Sequence, residues 1–135
     1  MKKIVLVVLT FIFCSAFTNL SSDIILTSAG LQEESELQGQ KAIKFSEGVT
    51  FKVKGKELSS HLAFYVKNKT LLAFEFVALK TSPDQLITAD ELLYDERKET
   101  GRFTGRVQVK NGTTTTSYPA LDYNFKTGKI QTISN

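Results

Sequence analysis

The chain has 135 residues, enough for one domain, and 41% of them are hydrophobic, which can supply an ordinary core. Seventeen basic residues less Lys2 and Lys3 leave fifteen, against fourteen acidic residues, so the chain without these two lysines carries a net charge of only +1. The other lysines are spread singly, and no nucleic-acid-binding motif accompanies them. Composition and charge therefore exclude nucleic acid as a predicted partner.

The first sixteen residues are typical of a secretory signal peptide. A basic start at Met1-Lys2-Lys3 precedes a mainly apolar run, Ile4–Phe13, and small residues at Cys14-Ser15-Ala16 offer a cleavage site. The run is short for a membrane span, which takes ~20 apolar residues. We therefore predict a signal peptide over residues 1–16 and one exported β domain over residues 17–135. An uncleaved membrane anchor is the alternative.

Cys14 is the one cysteine of the chain. A lipoprotein signal needs a small residue just before its cysteine, and Phe13 in that place disfavours a lipid anchor. If Ala16 ends the signal, the mature chain has no cysteine. Neither a disulfide framework nor a cysteine-based metal site is then available to it.

From Asp23 onward the sequence predicts β-structure almost throughout. Ser28-Ala29-Gly30 is expected to break the first strand, and the acidic segment 31–40 to form a loop or a weak strand. The run from Leu71 to Leu79 is nearly all apolar, which indicates a central strand covered on both faces. The expected strands up to this point are Asp23–Thr27, Ala42–Phe45, Val49–Lys54, Leu58–Val66 and Leu71–Leu79.

The clearest hairpin lies in the C-terminal third of the chain. Phe103, Val107 and Val109 alternate with polar residues, which is the period of a strand with one buried face. Asn111-Gly112 follows and favours a type I′ turn. The β-branched segment Thr113–Thr116 then begins the return strand.

Two glycines of this hairpin repeat an earlier pattern. Gly105 and Gly112 stand in the same relation as Gly48 and Gly55. The recurrence predicts two related hairpin units stacked into one sheet system. Gly105, just before the valines, also indicates a bulge.

The same C-terminal stretch resembles the LptA/OstA family, the periplasmic β-proteins that carry lipopolysaccharide from the inner to the outer membrane. The resemblance covers about the last third of the chain well and the middle loosely. It is carried by Ile87-Thr88-Ala89-Asp90, Leu93-Tyr94-Asp95, Phe103-Thr104-Gly105 with Val107 and Val109, Gly112, and Ala120 with Tyr123.

The resemblance implies an all-β fold, an open antiparallel β-jelly roll built from stacked hairpins around an apolar groove. It also implies a non-enzymatic periplasmic carrier that uses no cofactor and binds the acyl chains of lipopolysaccharide or a related glycolipid. Other OstA-like β domains would be its partners through head-to-tail strand pairing. Two alternatives stay open: a membrane-anchored LptC-like partner, and an exported structural or adhesive β-module that binds protein partners without lipid.

Particular residues follow from the strand pattern and the resemblance together. The predicted lipid-binding groove consists of Phe51, Val53, Leu62, Phe64, Val66, Val107, Val109, Leu121 and Tyr123. The same side chains would equally suit an ordinary closed core. Because the terminal strands are expected to be exposed sheet edges, the predicted assembly residues are Ile24, Ile25, Ile130, Gln131 and Thr132.

One segment gives conflicting signals. Thr88-Ala89-Asp90-Glu91 is a capping-box pattern, and propensity alone predicts a helix over Ala89–Lys98. The family resemblance instead implies two strand pieces around a turn at Asp95–Thr100. We adopt the strands, because tertiary pairing often overrides propensity.

Catalysis has little support in the sequence. His61 is the single histidine, in an alternating strand beside Ser59 and Ser60, and no nucleophile-elbow motif is present. No ligand spacing indicates a metal site, and no glycine-rich phosphate loop occurs. A lone histidine in this setting is usually structural or solvent-exposed. We therefore predict no enzymatic activity, no metal and no cofactor.

The signal-peptide interpretation yields a direct prediction. The mature protein should begin near Phe17 and reside outside the cytoplasm, because the preceding segment directs export. N-terminal sequencing of protein from the cell envelope tests it. Recovery of Met1 on membrane-embedded protein would favour the anchor instead.

Overall fold

The computed structural model describes residues 18–133, so the predicted signal peptide lies outside the described residues. This range forms ten strands: β1 (Thr18–Asn19), β2 (Ile24–Leu37), β3 (Gln40–Val53), β4 (Lys56–Ser60), β5 (Leu62–Val66), β6 (Thr70–Ser82), β7 (Gln85–Asp95), β8 (Thr100–Asn111), β9 (Thr114–Asn124) and β10 (Ile130–Ile133). Among these residues no helix has the length and apolar character to cross a membrane.

The strands form one antiparallel sheet in the order β1-β2-β3-β4-β6-β7-β8-β9-β10, with β5 inserted between β3 and β6. Successive strands are neighbours nearly everywhere, so the sheet is a series of hairpins. The predicted all-β architecture of stacked hairpins is confirmed. Its buried face forms one apolar cluster that receives side chains from strands along most of the sheet.

The segment with conflicting signals is a strand. β7 runs unbroken to Asp95, a turn covers residues 96–99, and β8 begins at Thr100. Leu92 and Tyr94 alternate into the interior with no exposed surface. Because β7 pairs with β6 on one side and with β8 on the other, ladder hydrogen bonds and burial outweigh its helix propensity.

The N-terminal region differs from the prediction. β2 continues through Ser28-Ala29-Gly30, where the structure has two register shifts rather than a break. The acidic segment is a full strand, because Glu33 lies opposite Lys44 and opposite charges across a ladder stabilise pairing. Gly30 lies so close to Glu47 that an added Cβ would be 2.7 Å from the Glu47 Cβ. The glycine thus permits a close approach of two strands.

The predicted strand Leu58–Val66 is two strands, and this changes which face its residues occupy. β4 and β5 pair with different parts of β3 and are separated at His61. Passing His61 shifts the alternation by one residue, so Ala63 and Tyr65 point inward. The prediction that Leu62 and Phe64 face the interior is therefore wrong: they lie half-buried on the outer face.

β6 is central in the sheet, but it is not covered on both faces as predicted. Leu71, Ala73, Val77 and Leu79 are buried in the interior. The outer face keeps apolar side chains partly in solvent, above all Phe76, which is 77% exposed. An apolar run that indicates a doubly covered strand can therefore also belong to a strand with one apolar face in solvent.

A line of irregular residues crosses the sheet, and we call it the crease. It consists of three pairs of adjacent residues in which both residues have a positive φ: Glu47–Gly48, Glu75–Phe76 and Gly105–Arg106. His61 connects the first two pairs, since its carbonyl accepts a hydrogen bond from Gly48 N (3.3 Å) and its amide donates to Glu75 O (2.9 Å). Bulges of this kind bend strands and increase their twist. The crease thus marks where the sheet bends.

Asp90 explains the glycine in the third pair. A Cβ on Gly105 would lie 2.6 Å from Asp90 Oδ2, and Gly105 has a φ of +79°. The Asp90 carboxylate accepts hydrogen bonds from Arg106 Nη2 (2.8 Å) and Nε (3.1 Å). The Ala89-Asp90 motif of β7 and the Phe103-Thr104-Gly105 motif of β8 therefore meet at one place on two neighbouring strands.

The C-terminal hairpin is confirmed, but its turn differs in detail. Asn111 ends β8 opposite Thr114, which makes Gly112 and Thr113 the central residues of the turn. Of the turn residues Asn111, Gly112 and Thr113, Gly112 has a positive φ, +60°. A positive φ at the first central position alone is the pattern of a type II′ turn rather than type I′.

The repeated units also correspond with a slip. The first unit carries its left-handed pair at Glu47–Gly48, and the second carries it at Gly105–Arg106. The glycine is therefore the second member of one pair and the first member of the other. Each unit contributes one left-handed pair to the crease and ends in a hairpin turn. Aligning the pairs places Gly48 opposite Arg106, one residue away from the glycine match found in the sequence.

Introducing an aspartate should cost more unfolding free energy on the inner face of the sheet than on the outer face. Val109→Asp places a carboxylate in the interior, where Val109 is 4% exposed, and should cost about 3 kcal/mol or more of unfolding free energy. Phe64→Asp removes a half-buried outer side chain and should cost about 1–2 kcal/mol. Urea unfolding measures both. Equal losses would contradict the assignment of the faces.

Candidate functional site

The apolar interior is the candidate functional site. Six of the nine predicted groove residues lie in its contiguous core: Phe51, Val53, Val107, Val109, Leu121 and Tyr123. Val66 is buried near the end of β5 but outside that cluster, while Leu62 and Phe64 lie on the outer face.

Many interior residues were not among the predicted groove residues. Most of them come from β6 and β7, whose alternation was hidden by apolar residues on both faces or by a helix-like pattern. The fully buried ones include Phe45, Leu58, Leu71, Leu79, Ile87, Leu92, Tyr94 and Phe103. A strict two-residue alternation through β6 and β7, with one slip at the crease, would have found most of them.

Two groups of aromatic side chains pack edge to face within this interior. Phe45 meets Phe51 edge to face with ring centroids 5.5 Å apart. Phe125 meets both Tyr94 and Tyr123, each at 4.8 Å and also edge to face. Such geometry is the favourable one for aromatic pairs. The interior is thus a well-ordered apolar layer in this structure.

The sheet does not close on itself. Its order ends at β1 and β10, and within residues 18–133 these two strands have no ladder with each other. β10 pairs with β9 through Ile130, Gln131 and Thr132, so the predicted C-terminal edge strand lies at a sheet edge. The interior of the roll is therefore bounded by one open sheet.

The N-terminal edge differs from the prediction at Ile24 and Ile25. Ile24 has no exposed surface and belongs to the core. Ile25 lies opposite Asn19 of β1, so β1 covers this part of β2. A short preceding strand thus occupies the edge that Ile24 and Ile25 were expected to expose. The edge of β2 without a ladder partner among residues 18–133 lies further along, from Thr27 to Leu37.

Lys54 joins distant parts of the sheet at one side of the interior. Its ammonium lies 3.0 Å from Glu99 Oε1 and 3.5 Å from Asp23 Oδ1, and its amide donates to the Asp23 carbonyl at 2.8 Å. The hydrogen bond that the Lys54 ammonium donates to the Glu99 carboxylate is the main cause that raises the pKa of Lys54. We call Lys54, Asp23 and Glu99 the clasp.

Tyr94 lies close to the clasp. It has no exposed surface, and its hydroxyl has no hydrogen-bond partner within residues 18–133. Burial is the main cause that raises the pKa of Tyr94, and the negative charges of Asp23, Glu96 and Glu99 raise it further. The hydroxyl therefore stays protonated and is an unused hydrogen-bond donor.

Tyr65 provides the contrast. Its hydroxyl donates to Glu96 Oε1 at 3.0 Å and accepts from the Asn68 amide at 3.1 Å. Tyr65 and Tyr94 both point into the roll, yet one hydroxyl is satisfied and the other is not. A buried hydroxyl without a partner costs about 1–3 kcal/mol. Among the described residues the Tyr94 hydroxyl shares this state with Glu99 Oε1, but that oxygen has the Lys54 ammonium 3.0 Å away.

His61 does not build a catalytic site. Its Nδ1 is 4.0 Å from Glu75 Oε1, beyond hydrogen-bond reach, and its ring meets Phe76 edge to face at 5.2 Å. The neighbouring Ser60 hydroxyl donates to the Leu62 carbonyl at 3.0 Å and is not directed at His61. In the described part of the chain no group of three or more His, Cys, Asp or Glu could hold a metal ion.

Fold and site together define a single open antiparallel sheet, bent around an apolar interior, whose two edges have no ladder partner within residues 18–133. The chain belongs to the family of OstA-like proteins, which it matches over residues 21–132. No curated protein sequence matches it.

A solved structure shares the fold. The chain is similar to LptH from Pseudomonas aeruginosa, described as the LptA-homologous periplasmic component of the conserved lipopolysaccharide transport device. The TM-score is 0.63 at 12% sequence identity, over 83% of this chain and 82% of that chain. At this identity the likeness establishes the fold and leaves function to other arguments.

The two tyrosines predict opposite responses to loss of the hydroxyl. Tyr94→Phe removes an unpartnered polar atom and should leave the unfolding free energy unchanged or raise it. Tyr65→Phe removes two hydrogen bonds and should lower it by about 1 kcal/mol or more. Urea unfolding of the two variants beside the parent protein is the measurement. A larger loss for Tyr94→Phe would show that its hydroxyl has a partner after all.

Proposed function

We propose that this protein is a periplasmic, non-enzymatic carrier that holds the acyl chains of lipopolysaccharide or a related glycolipid inside its roll. The observation that carries the proposal is the contiguous apolar interior of one open sheet. Each methylene moved from water into such an interior gains about 0.8 kcal/mol. Membership of the OstA-like family and the fold shared with LptH support the same function.

Loading requires the walls of the interior to separate, because its side chains are in mutual contact. The sheet edges make this feasible. Since β1 and β10 are not paired with each other, the walls can move apart without breaking a ladder between the two ends of the sheet. Acyl chains then replace side-chain contacts by contacts of the same apolar kind.

Lipid that co-purifies with the protein gives the direct test. Mature protein isolated from a lipopolysaccharide-producing envelope should carry stoichiometric acylated glycolipid by mass spectrometry. Ala73→Leu fills the interior and should lower the bound lipid, whereas Ala78→Leu on the outer face of the same strand should not. Circular dichroism confirms the fold of both variants. Lipid-free parent protein, or equal loading of both variants, would contradict the carrier.

We also propose that copies of this domain, or this domain and another OstA-like domain, pair head to tail through their sheet edges. β10 supplies one edge and β2 beyond its contact with β1 supplies the other. Unpaired edges accept strands from other chains, and such pairing would join neighbouring interiors into one path. The mature net charge of +1 offers little repulsion between copies.

The direction of each amide in β10 determines which proline substitution tests the assembly. Asn124 N donates to Lys129 O, so Gln131 is the next residue of β10 whose amide points to β9, and the Thr132 amide points outward. Thr132→Pro should therefore abolish end-to-end association and keep β10 in place. Gln131→Pro should also loosen β10 itself.

Light scattering over a concentration series measures the assembly. The apparent molecular mass of the parent protein should increase with concentration. The Thr132→Pro variant should remain a monomer with an unchanged unfolding transition. A parent protein that is strictly monomeric and binds no other OstA-like domain would defeat the bridge.

A second candidate function rests on the outer face. Phe76 is 77% and Leu93 is 47% exposed, and Phe64 and Phe74 meet edge to face nearby with centroids 6.1 Å apart. Exposed apolar clusters often mark protein-binding surfaces. An exported module that binds a protein partner through this face and holds no lipid would emerge lipid-free from the purification described above.

A further inference from the structure

The clasp connects the start of β2 and the turn between β3 and β4 with the turn between β7 and β8. Asp23 directly precedes β2, near the N-terminal end of the sheet. Glu99 accepts a hydrogen bond on its carbonyl from Phe125 N at 2.9 Å, and Phe125 directly follows β9 near the other end. Lys54 bridges Asp23 and Glu99, although the strands that flank it have no ladder with β7 or β8. This side of the roll is thus held by side-chain ion pairs.

Ion pairs are easier to open than a ladder. The three clasp side chains are partly exposed, at 29% for Lys54, 19% for Asp23 and 27% for Glu99. Ion pairs between partly exposed side chains contribute little to stability. The clasp is therefore a weak point of the wall around the interior.

An unused donor lies behind this weak point. The enclosed Tyr94 hydroxyl has no partner within residues 18–133, and its ring contacts Phe125, which also contacts Tyr123. Apolar rings thus lie on one side of the hydroxyl and the charged clasp on the other. An amphiphile has the same arrangement where its acyl chain joins its head.

The charges around Tyr94 select the kind of acceptor. Asp23, Asp95, Glu96 and Glu99 all act on it, and Lys54 is the cation of the clasp. An anionic phosphate or carboxylate would meet net repulsion at this position. A neutral carbonyl oxygen accepts a hydrogen bond from a phenol without that cost.

We propose that the clasped end is the ligand-admitting mouth of the roll, and that Tyr94 donates a hydrogen bond there to the ester or amide carbonyl of an acyl chain. The inference deepens the proposed carrier function and rests on it. In this proposal Tyr94 binds the ligand, and the ion pairs of Lys54 must open before the ligand can enter.

The donor is tested with two probes, a pyrene-labelled fatty acid methyl ester and a pyrene-labelled alkane of the same length. Tyr94→Phe should weaken binding of the ester roughly two- to tenfold and leave binding of the alkane unchanged. Tyr65→Phe, whose hydroxyl already has partners, should not change the ratio of the two affinities. Equal effects of Tyr94→Phe on both probes, or no effect, would overturn the assignment.

The role of the clasp is tested by measuring the association and dissociation rates of the same ester. Lys54→Met keeps the aliphatic stem and removes the ion pairs, so association and dissociation should both accelerate severalfold. Lys52→Met is the matched control, because Lys52 is an exposed lysine that lies opposite Glu57, away from the clasp. Unchanged rates in Lys54→Met would place the mouth elsewhere.

The binding measurements distinguish a failure of the carrier function from a failure of the proposed mouth. A parent protein that binds neither probe would refute the carrier function and this inference together. A parent protein that binds both probes, combined with Tyr94→Phe and Lys54→Met variants that behave like the parent, would refute the mouth and leave the carrier intact.

Discussion

The left-handed pairs of the crease determine which side chains become the interior. Each non-glycine residue with positive φ costs about 1–2 kcal/mol, and Glu47, Glu75, Phe76 and Arg106 all adopt it. The cost is offset because the bend allows both halves of long strands to direct apolar residues to one side. Without the slip at His61, Leu62 and Phe64 would take the inward positions of Ala63 and Tyr65.

This constraint also relates the family motifs to the fold. Gly105 lies against Asp90, Arg106 binds the Asp90 carboxylate, and Val107 returns to the interior immediately afterwards. These residues were first noted as a resemblance between short motifs. In the structure they form one bulged site of the β7–β8 pair, where the register shifts between Thr88 and Glu91.

Regular alternation was the part of the fold that could be predicted from sequence. The hairpin around Val107 and Val109 and the terminal strand Ile130–Ile133 are confirmed. The strand character of β7, which the family resemblance implied against its helix propensity, is confirmed as well. The error in the inward and outward placement of β5 has a physical cause. Leu62 and Phe64 were placed on the wrong face because a bulge at a non-glycine residue leaves no local signal, and the single-residue slip reverses every later side chain.

The same limit applies to the site. Core residues with alternating neighbours, such as Phe51 and Val53, were predicted correctly as inward. The clasp was not predicted, because Asp23, Lys54 and Glu99 are distant in sequence and meet only when the sheet bends. Nor was Tyr94, although it lies within a quoted motif, because an unpartnered hydroxyl is visible only among its neighbours.

The central claim is that acyl chains enter the interior and not the outer face, and fluorine NMR tests it directly. Mature protein labelled with 4-fluorophenylalanine carries interior reporters at Phe45, Phe51 and Phe103 and outer reporters at Phe64, Phe74 and Phe76. Single Phe→Leu variants assign the resonances. On titration with lipopolysaccharide the interior resonances should shift and saturate together, while that of Phe76 stays in place. Shifts confined to the outer reporters would contradict the account.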